Sequence, residues 1–151
     1  MNNPAHGART LTAAAGHWDG RTYTWPVRVY YHHTDAGGVV YHGTYLDFME
    51  AARTELLHAL GLDLAELVER EAVLFMVYRL AVEYHKSARL NDVLRVTATI
   101  AHAGRVRLDF DQRVLRGDEL LVSARVRAAC VDSRTFRSVA MPEALREKLV
   151  I

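Results

Sequence analysis

From Trp25 to Tyr31 the side chains alternate, with Val27, Val29 and Tyr31 set against Arg28 and Tyr30, the period of a half-buried strand. Thr34-Asp35-Ala36-Gly37-Gly38 breaks that pattern, and two adjacent glycines allow turns that a Cβ forbids. The period then changes. Tyr45, Phe48, Met49, Ala52, Leu56, Ala59 and Leu60 recur at spacings of three and four, which predicts one apolar helix face over 43–60. Asp47, Glu50, Arg53 and Glu55 fall largely on the other faces, and Gly61 is placed to cap the C-terminus. A shorter helix over 64–70 follows, with Asp63 as its N-cap.

From Ala72 to about Val139 the chain reads as antiparallel strands. Leu74, Met76, Tyr78, Leu80, Val82 and Tyr84 share one face of the first, and Leu94, Val96, Ala98 and Ile100 line the second. Val106, Leu108 and Phe110 mark a third, and Leu120, Val122, Ala124, Val126, Ala128 and Cys130 a fourth. Short turns at 102–105 and 116–119 make these strands hairpin neighbours. A short edge strand over 136–140 and a last helix from Pro142 to Lys148 complete the reading. A meander with one solvated face leaves the long helix as the cover for its apolar face, so the expected class is α+β, an antiparallel sheet wrapped around one central helix. Long edge strands need protection, and pairing of two copies supplies it, so at least a homodimer is expected.

Composition narrows this. A chain of 151 residues, 50% hydrophobic and 25% charged, is one soluble domain that buries roughly 70% of its unfolded surface without staples. The lone Cys130 forms no disulfide within the chain and alternates with core residues, as a small buried hydrophobe does. Residues 1–20 have neither periodicity nor the apolar stretch of a secretory signal, so they are expected to be a disordered tail, with one domain over 21–151 in the cytoplasm. No apolar run is long enough for a transmembrane helix. A net charge of +1 argues against nucleic acid as a partner, yet that total hides an acidic stretch over 41–72 (net −5) and an Arg-rich stretch over 73–151 (net +5).

Candidate chemistry concentrates in residues 30–45, where a carboxylate, imidazoles, phenols and glycines fill the turn between a strand and a buried helix. Asp35 there faces a helix start whose first N–H groups lack intrahelical partners and carry partial positive charge. Such N–H groups, at His42 and Gly43, form a cradle for an oxyanion, and a carboxylate beside it attacks an acyl carbonyl or deprotonates a water that does. The plainer reading, that Asp35 caps a turn, stays open at this point. His32 and His33 are consecutive on the expected strand and point to opposite faces, so no metal site is expected. Walker A, Gly-x-Gly-x-x-Gly, Gly-x-Ser-x-Gly and Cys-x-x-Cys motifs are all absent from the sequence.

The string Val29-Tyr30-Tyr31-His32-His33-Thr34-Asp35-Ala36-Gly37-Gly38-Val39-Val40-Tyr41-His42 closely resembles the signature of hotdog-fold acyl-CoA thioesterases, in the Tol-Pal-associated (YbgC-type) branch related to 4-hydroxybenzoyl-CoA thioesterases. The likeness continues through 48–57, Ser87-Ala88-Arg89-Leu90-Asn91-Asp92 and 128–132, covering roughly residues 25–147. It implies Asp35 as nucleophile or general base, and His42 as the residue whose N–H polarises the thioester carbonyl while its side chain assists. Tyr31 matches a tyrosine placed near the aspartate. Ser87 and Asn91 depart from the family's usual Pro and Asp, which affects the CoA-side loop and leaves the catalytic turn intact. Glu50 and Glu55 read as helix-face charges.

Thioester hydrolysis also needs an apolar slot and, for CoA, cations near the mouth. Tyr45 and Met49 are the candidates for the acyl pocket, and Lys86 and Arg89 for CoA binding, with the Arg-rich sheet half suited to its phosphates. No cofactor is required. Acyl carrier protein is a second carrier to consider, and a homotetramer a second assembly. Two other readings compete: a non-catalytic acyl-binding or scaffold protein at the cell envelope, and a hydratase of the same fold, whose usual Gly-His-Phe-Pro motif is missing.

Overall fold

The computed structural model describes residues 15–150. Six antiparallel strands form one sheet in the order β1-β2-β4-β5-β6-β3. They are β1 (His17–Trp18), β2 (Thr22–Arg28), β3 (Val73–Tyr84), β4 (Val93–Ala103), β5 (Arg107–Arg116) and β6 (Glu119–Asp132), with helices α1 (Thr44–Ala59), α2 (Leu64–Glu71) and α3 (Glu143–Leu149). Tyr45, Phe48, Met49, Ala52, Leu56 and Leu57 of α1 are buried in one core with Leu94, Val96, Leu108, Phe110, Val122 and Val126 of the sheet, so the long helix lies in the curl of the sheet as its periodicity predicts.

The helix ends obey local rules. Gly61 takes φ +81°, and the Leu62 N–H reaches back to the Leu57 carbonyl at 2.9 Å, the left-handed exit that glycine permits. Asp63 accepts the N–H groups of Ala65 and Glu66, capping α2 as expected. At the other end of α1, Gly43 is the N-cap and offers no side chain to the helix.

Several expectations are corrected. The alternating strand ends at Arg28, and Tyr31–His33 form a turn of 3-10 helix, so His32 and His33 share one side, ring centroids 4.0 Å apart. The Tyr30 carbonyl accepts the His33 N–H, a local bond that no strand ladder can match. Of the expected tail, residues 1–14 lie outside the described residues, while His17 and Trp18 pair with Thr24 and Tyr23 and extend the sheet. Residues 136–140 form no strand; Ser138 makes a single bridge to Val131 after Phe136 takes φ +59°.

The sheet is also more than a meander. β4, β5 and β6 are hairpin neighbours, but β3 pairs with β6 at the far edge, and β2 pairs with β4. From β3 to β4 is about three strand spacings, roughly 14 Å. The connection over 85–92 can reach about 27 Å when extended, so it crosses the ends of β5 and β6 with length to spare.

β3 carries a bulge at Tyr78, the unpaired residue between Val77 opposite Ala128 and Arg79 opposite Arg127. One extra residue inverts the alternation. Phe75 and Val77 therefore share a face with Leu80, Val82 and Tyr84, opposite Cys130, Ala128, Val126, Ala124 and Val122, whereas Leu74 and Met76 do not. Cys130 is fully buried and burial pushes its thiol up, as befits a core residue.

Candidate active site

The loop between β2 and α1 is a small hairpin closed on itself. Thr34 bridges Val40, the Asp35 N–H donates to the Val39 carbonyl at 2.9 Å, and the Gly38 N–H donates to the Asp35 carbonyl at 3.0 Å. Gly38 sits at φ +78°, which favours glycine. One Asp35 carboxylate oxygen, Oδ1, accepts the Gly37 N–H at 2.8 Å. The turn-capping role of Asp35 is therefore real, and it fixes the direction of an exposed carboxylate whose second oxygen remains available for chemistry.

A second wall faces this loop. Tyr84, His85, Lys86 and Ser87, at the end of β3 and the start of its connection, line with Asp35, Val39, Val40, His42 and Tyr45 a cavity of about 270 Å³. The two walls are bolted together: the Val40 N–H donates to the Ala88 carbonyl, the Ala88 N–H donates to the Tyr45 hydroxyl, both at 2.9 Å, and Val39 bridges Arg89. Burial raises the Tyr45 phenol, with the Ala88 N–H opposing, so the hydroxyl is neutral when it accepts that bond.

Arg116 holds the connection from below. Its guanidinium pairs with Asp92 at 2.8 Å and with Glu119, and donates to the Ser87 carbonyl at 3.3 Å. Burial alone would raise the Asp92 carboxyl, but the Arg89 N–H and Arg116 outweigh it and leave it below the usual carboxylate range. Lys86 and then Arg116 do the same for Glu119.

At the start of α1, the Thr44 N–H is taken by the Tyr41 carbonyl, while the His42 and Gly43 N–H groups have no hydrogen-bond acceptor among the described residues. They are the free donors that a helix start offers. The structure thus brings Asp35, His42 and Tyr45 of the predicted site to one cavity, with Gly43 beside them in the chain.

Other predicted residues lie elsewhere. Tyr31 is 80% exposed and does not line this cavity, its carbonyl being occupied by Thr34. Met49 is fully buried in the core, and its carbonyl accepts the Gln112 side-chain amide at 2.9 Å, so it does not line the cavity either. Lys86 lines the cavity with its ammonium 2.9 Å from Glu119, and Arg89 is exposed on the adjoining bridge. Much of the Arg-rich sheet is spent on its own aspartates: Arg125 pairs with Asp111, and Arg107 and Arg127 with Asp109. Sequence reasoning misses Tyr84 and His85 as site residues and has Ser87 only as a departure in the CoA-side loop; the signals are the polar run that ends the apolar alternation of β3 at His85 and the resemblance through 87–92.

Comparison with known proteins follows the same outline. The family model of the thioesterase-like superfamily matches residues 29–149. The acyl-CoA thioesterase YbgC of Haemophilus influenzae is 41% identical over 124 residues, covering 82% of this chain and 91% of that protein. The acyl-CoA thioester hydrolase YbgC of Escherichia coli is 40% identical over 124 residues, covering 82% and 92%. A hypothetical protein from Thermus thermophilus superposes with TM-score 0.77 at 32% identity, over 83% of this chain and 95% of its own. With a sheet curled around one helix and a matched segment that begins at Val29 and takes in the whole Asp35 loop, the chain belongs to the thioesterase-like superfamily of hotdog-fold thioester hydrolases.

Proposed function

We propose that the protein is an acyl-CoA thioesterase in which Asp35 acts as nucleophile or general base and the first N–H groups of α1 polarise the thioester carbonyl. One observation carries the reading: an oriented carboxylate with an available oxygen shares a cavity with His42, at a helix start where the His42 and Gly43 N–H groups have no acceptor among the described residues. Hydrolysis needs both, a group that attacks or activates water and donors for the oxygen on which charge develops. The YbgC relatives, named for acyl-CoA substrates, support the choice of carrier. The His42 imidazole lines the same cavity and assists. Tyr45 forms part of the acyl wall, and Lys86 on the cavity lining and the exposed Arg89 on the adjoining Val39 bridge are the cations for the CoA phosphates.

The acting unit is a homodimer joined along β3. That edge strand is 12 residues long and exposes Met76, Val77, Tyr78 and Leu80, whereas the opposite edge is blunted by a strand of two residues. Unpaired apolar edges of that length call for a partner, and a second copy offers the same strand. Sedimentation as a monomer at micromolar concentration contradicts this part.

Thiol release from a panel of acyl-CoA and acyl carrier protein thioesters, short to long and aromatic, tests the function. Turnover of acyl-CoA with a preferred acyl group is the expected result. A protein that binds acyl-CoA and turns over no member of the panel is the acyl-binding scaffold instead.

A further inference from the structure

The peptide unit that joins His42 to Gly43 is held from one end and free at the other. Its carbonyl accepts the Tyr84 hydroxyl at 2.8 Å, while its N–H has no acceptor among the described residues. The carbonyl is spared by the helix itself, because the Leu46 N–H donates to Gly43 at 3.1 Å. In a planar trans peptide the carbonyl and the N–H point in opposite directions. Gly43 has helical angles, φ −71° and ψ −25°, so its N–H points out of the N-terminal end of α1.

Tyr84 reaches this peptide from the last position of β3, 42 residues away in the chain. Its ring is set edge-on to Tyr45, with centroids 5.8 Å apart, and to His42 at 6.5 Å, and it lines the Asp35 cavity. The hydroxyl is thus a donor fixed by the sheet and aimed at the helix start. Burial, and then the neighbouring Tyr41, raise the Tyr84 phenol, so it keeps its proton through neutral and mildly alkaline pH.

We propose that Tyr84 is a positioning residue for the thioester carbonyl: by holding the His42 carbonyl it sets the direction of the Gly43 N–H and polarises it toward the reacting oxygen. A hydrogen bond at one end of an amide strengthens the bond made at the other, and a donor held in place needs no reorganisation as charge develops. Tyr84 acts through the peptide and takes no proton from the substrate. The inference rests on the reading that the N–H groups of the α1 start polarise the thioester.

The test uses Tyr84→Phe in the full-length protein. Phenylalanine keeps the ring contact with Tyr45 at a half-exposed strand end, so the fold is retained. Loss of a direct oxyanion donor costs about 10²–10³ in kcat, and loss of a group that only orients one is expected to cost about tenfold. KM for acyl-CoA should stay within about twofold, because the ground-state thioester gains less from the donor than the oxyanion does.

A spectroscopic readout separates positioning from packing. A ketone analogue of acyl-CoA, with methylene in place of the thioester sulfur, reports hydrogen bonding through its carbonyl stretch. Bound to the parent protein the band lies below its position in free solution; bound to Tyr84→Phe it should move back toward that position. Parent-like kcat with an unmoved band overturns the proposal. So does a loss of kcat with an unmoved band and a lowered melting temperature, which assigns Tyr84 a packing role. Failure of the underlying reading looks different: the parent protein shows no turnover, or the ketone band of the parent complex already lies at its position in free solution.

Discussion

Helix α1 begins between two concave surfaces that are alike in composition and unlike in chemistry. On one side lie Asp35, His42, Tyr45 and Tyr84; on the other, Trp25, Tyr30, His32, His33, Asp47 and Phe48 line a groove of about 480 Å³. Each has a carboxylate, imidazole and phenol beside the same helix start, and the groove is the larger. The difference lies in what each side of the helix start offers. In the groove the His33 Nδ1 accepts the Tyr30 N–H at 2.9 Å, and its ring packs edge-on to Phe48 at 4.9 Å. Asp47 stands on the first turn of α1, where a negative charge complements the helix dipole and serves stability. In the cavity one Asp35 oxygen is anchored and the other available, and beside it the His42 and Gly43 N–H groups have no acceptor among the described residues. Titratable residues mark both places; the unspent N–H groups at His42 and Gly43 mark the site.

Charge reversal at the mouth should give the largest effect among the variants that leave the chemical step in place. Arg89→Glu is expected to raise KM for acyl-CoA about 3–10-fold with little change in kcat, since it repels phosphates that bind equally in ground and transition states. Lys86→Glu should do the same, with an added loss of stability from the new repulsion by Glu119. Unaltered KM in both removes these residues from the CoA site.

Asp47→Asn sharpens the comparison from the other side. Steady-state kinetics should find kcat within about twofold of the parent, and unfolding should show only the ~0.3–1 kcal/mol that a first-turn carboxylate contributes. A large fall in kcat would move the active site to the groove.

The smallest expected effect is a titration. Burial, then the adjacent His32, lower the pKa of His33, against the pull of Asp47. A depressed folded pKa means that the contribution of neutral His33 is present above its ordinary value near 6.5 and lost as pH falls through the folded value. Proton NMR should place the His33 midpoint below 6.5; a midpoint at or above it contradicts the dominance of burial and His32 over Asp47 at this ring.

Helix α1 was legible because a 16-residue amphipathic segment closed by a glycine has one reading. Strand existence was legible too, since alternation runs through most of β4, β5 and β6, interrupted by bulges at Ala101 in β4 and Leu121 in β6. Strand placement was not: alternation reports which face is buried and says nothing of which neighbour is paired, so the position of β3 beside β6 is absent from the pattern. Nor does it reveal the Tyr78 bulge, because apolar residues continue on both sides of the inversion. Gln112 shows the same limit, since a polar residue at a core position is explained only by its partners, Arg53 at 2.8 Å and the Met49 carbonyl.

The site divides the same way. Asp35, His42 and Gly43 are contiguous in sequence, and the turn, glycines and helix start that give them meaning are local. Tyr84 at the end of β3, Ser87 in the connection over 85–92 and Arg116 at the end of β5 are brought to the site by the strand order, so their roles depend on topology that local pattern does not encode.

The rate of CoA release by Asp35→Asn is the most direct test of the account. Asparagine keeps the side-chain carbonyl oxygen that accepts the Gly37 N–H, so the turn survives and only the acid–base and nucleophilic capacity is removed. With saturating acyl-CoA, the account predicts a fall in kcat of roughly 10²–10⁴-fold with unchanged fold and assembly. An Asp35→Asn protein that hydrolyses acyl-CoA at the parent rate contradicts it.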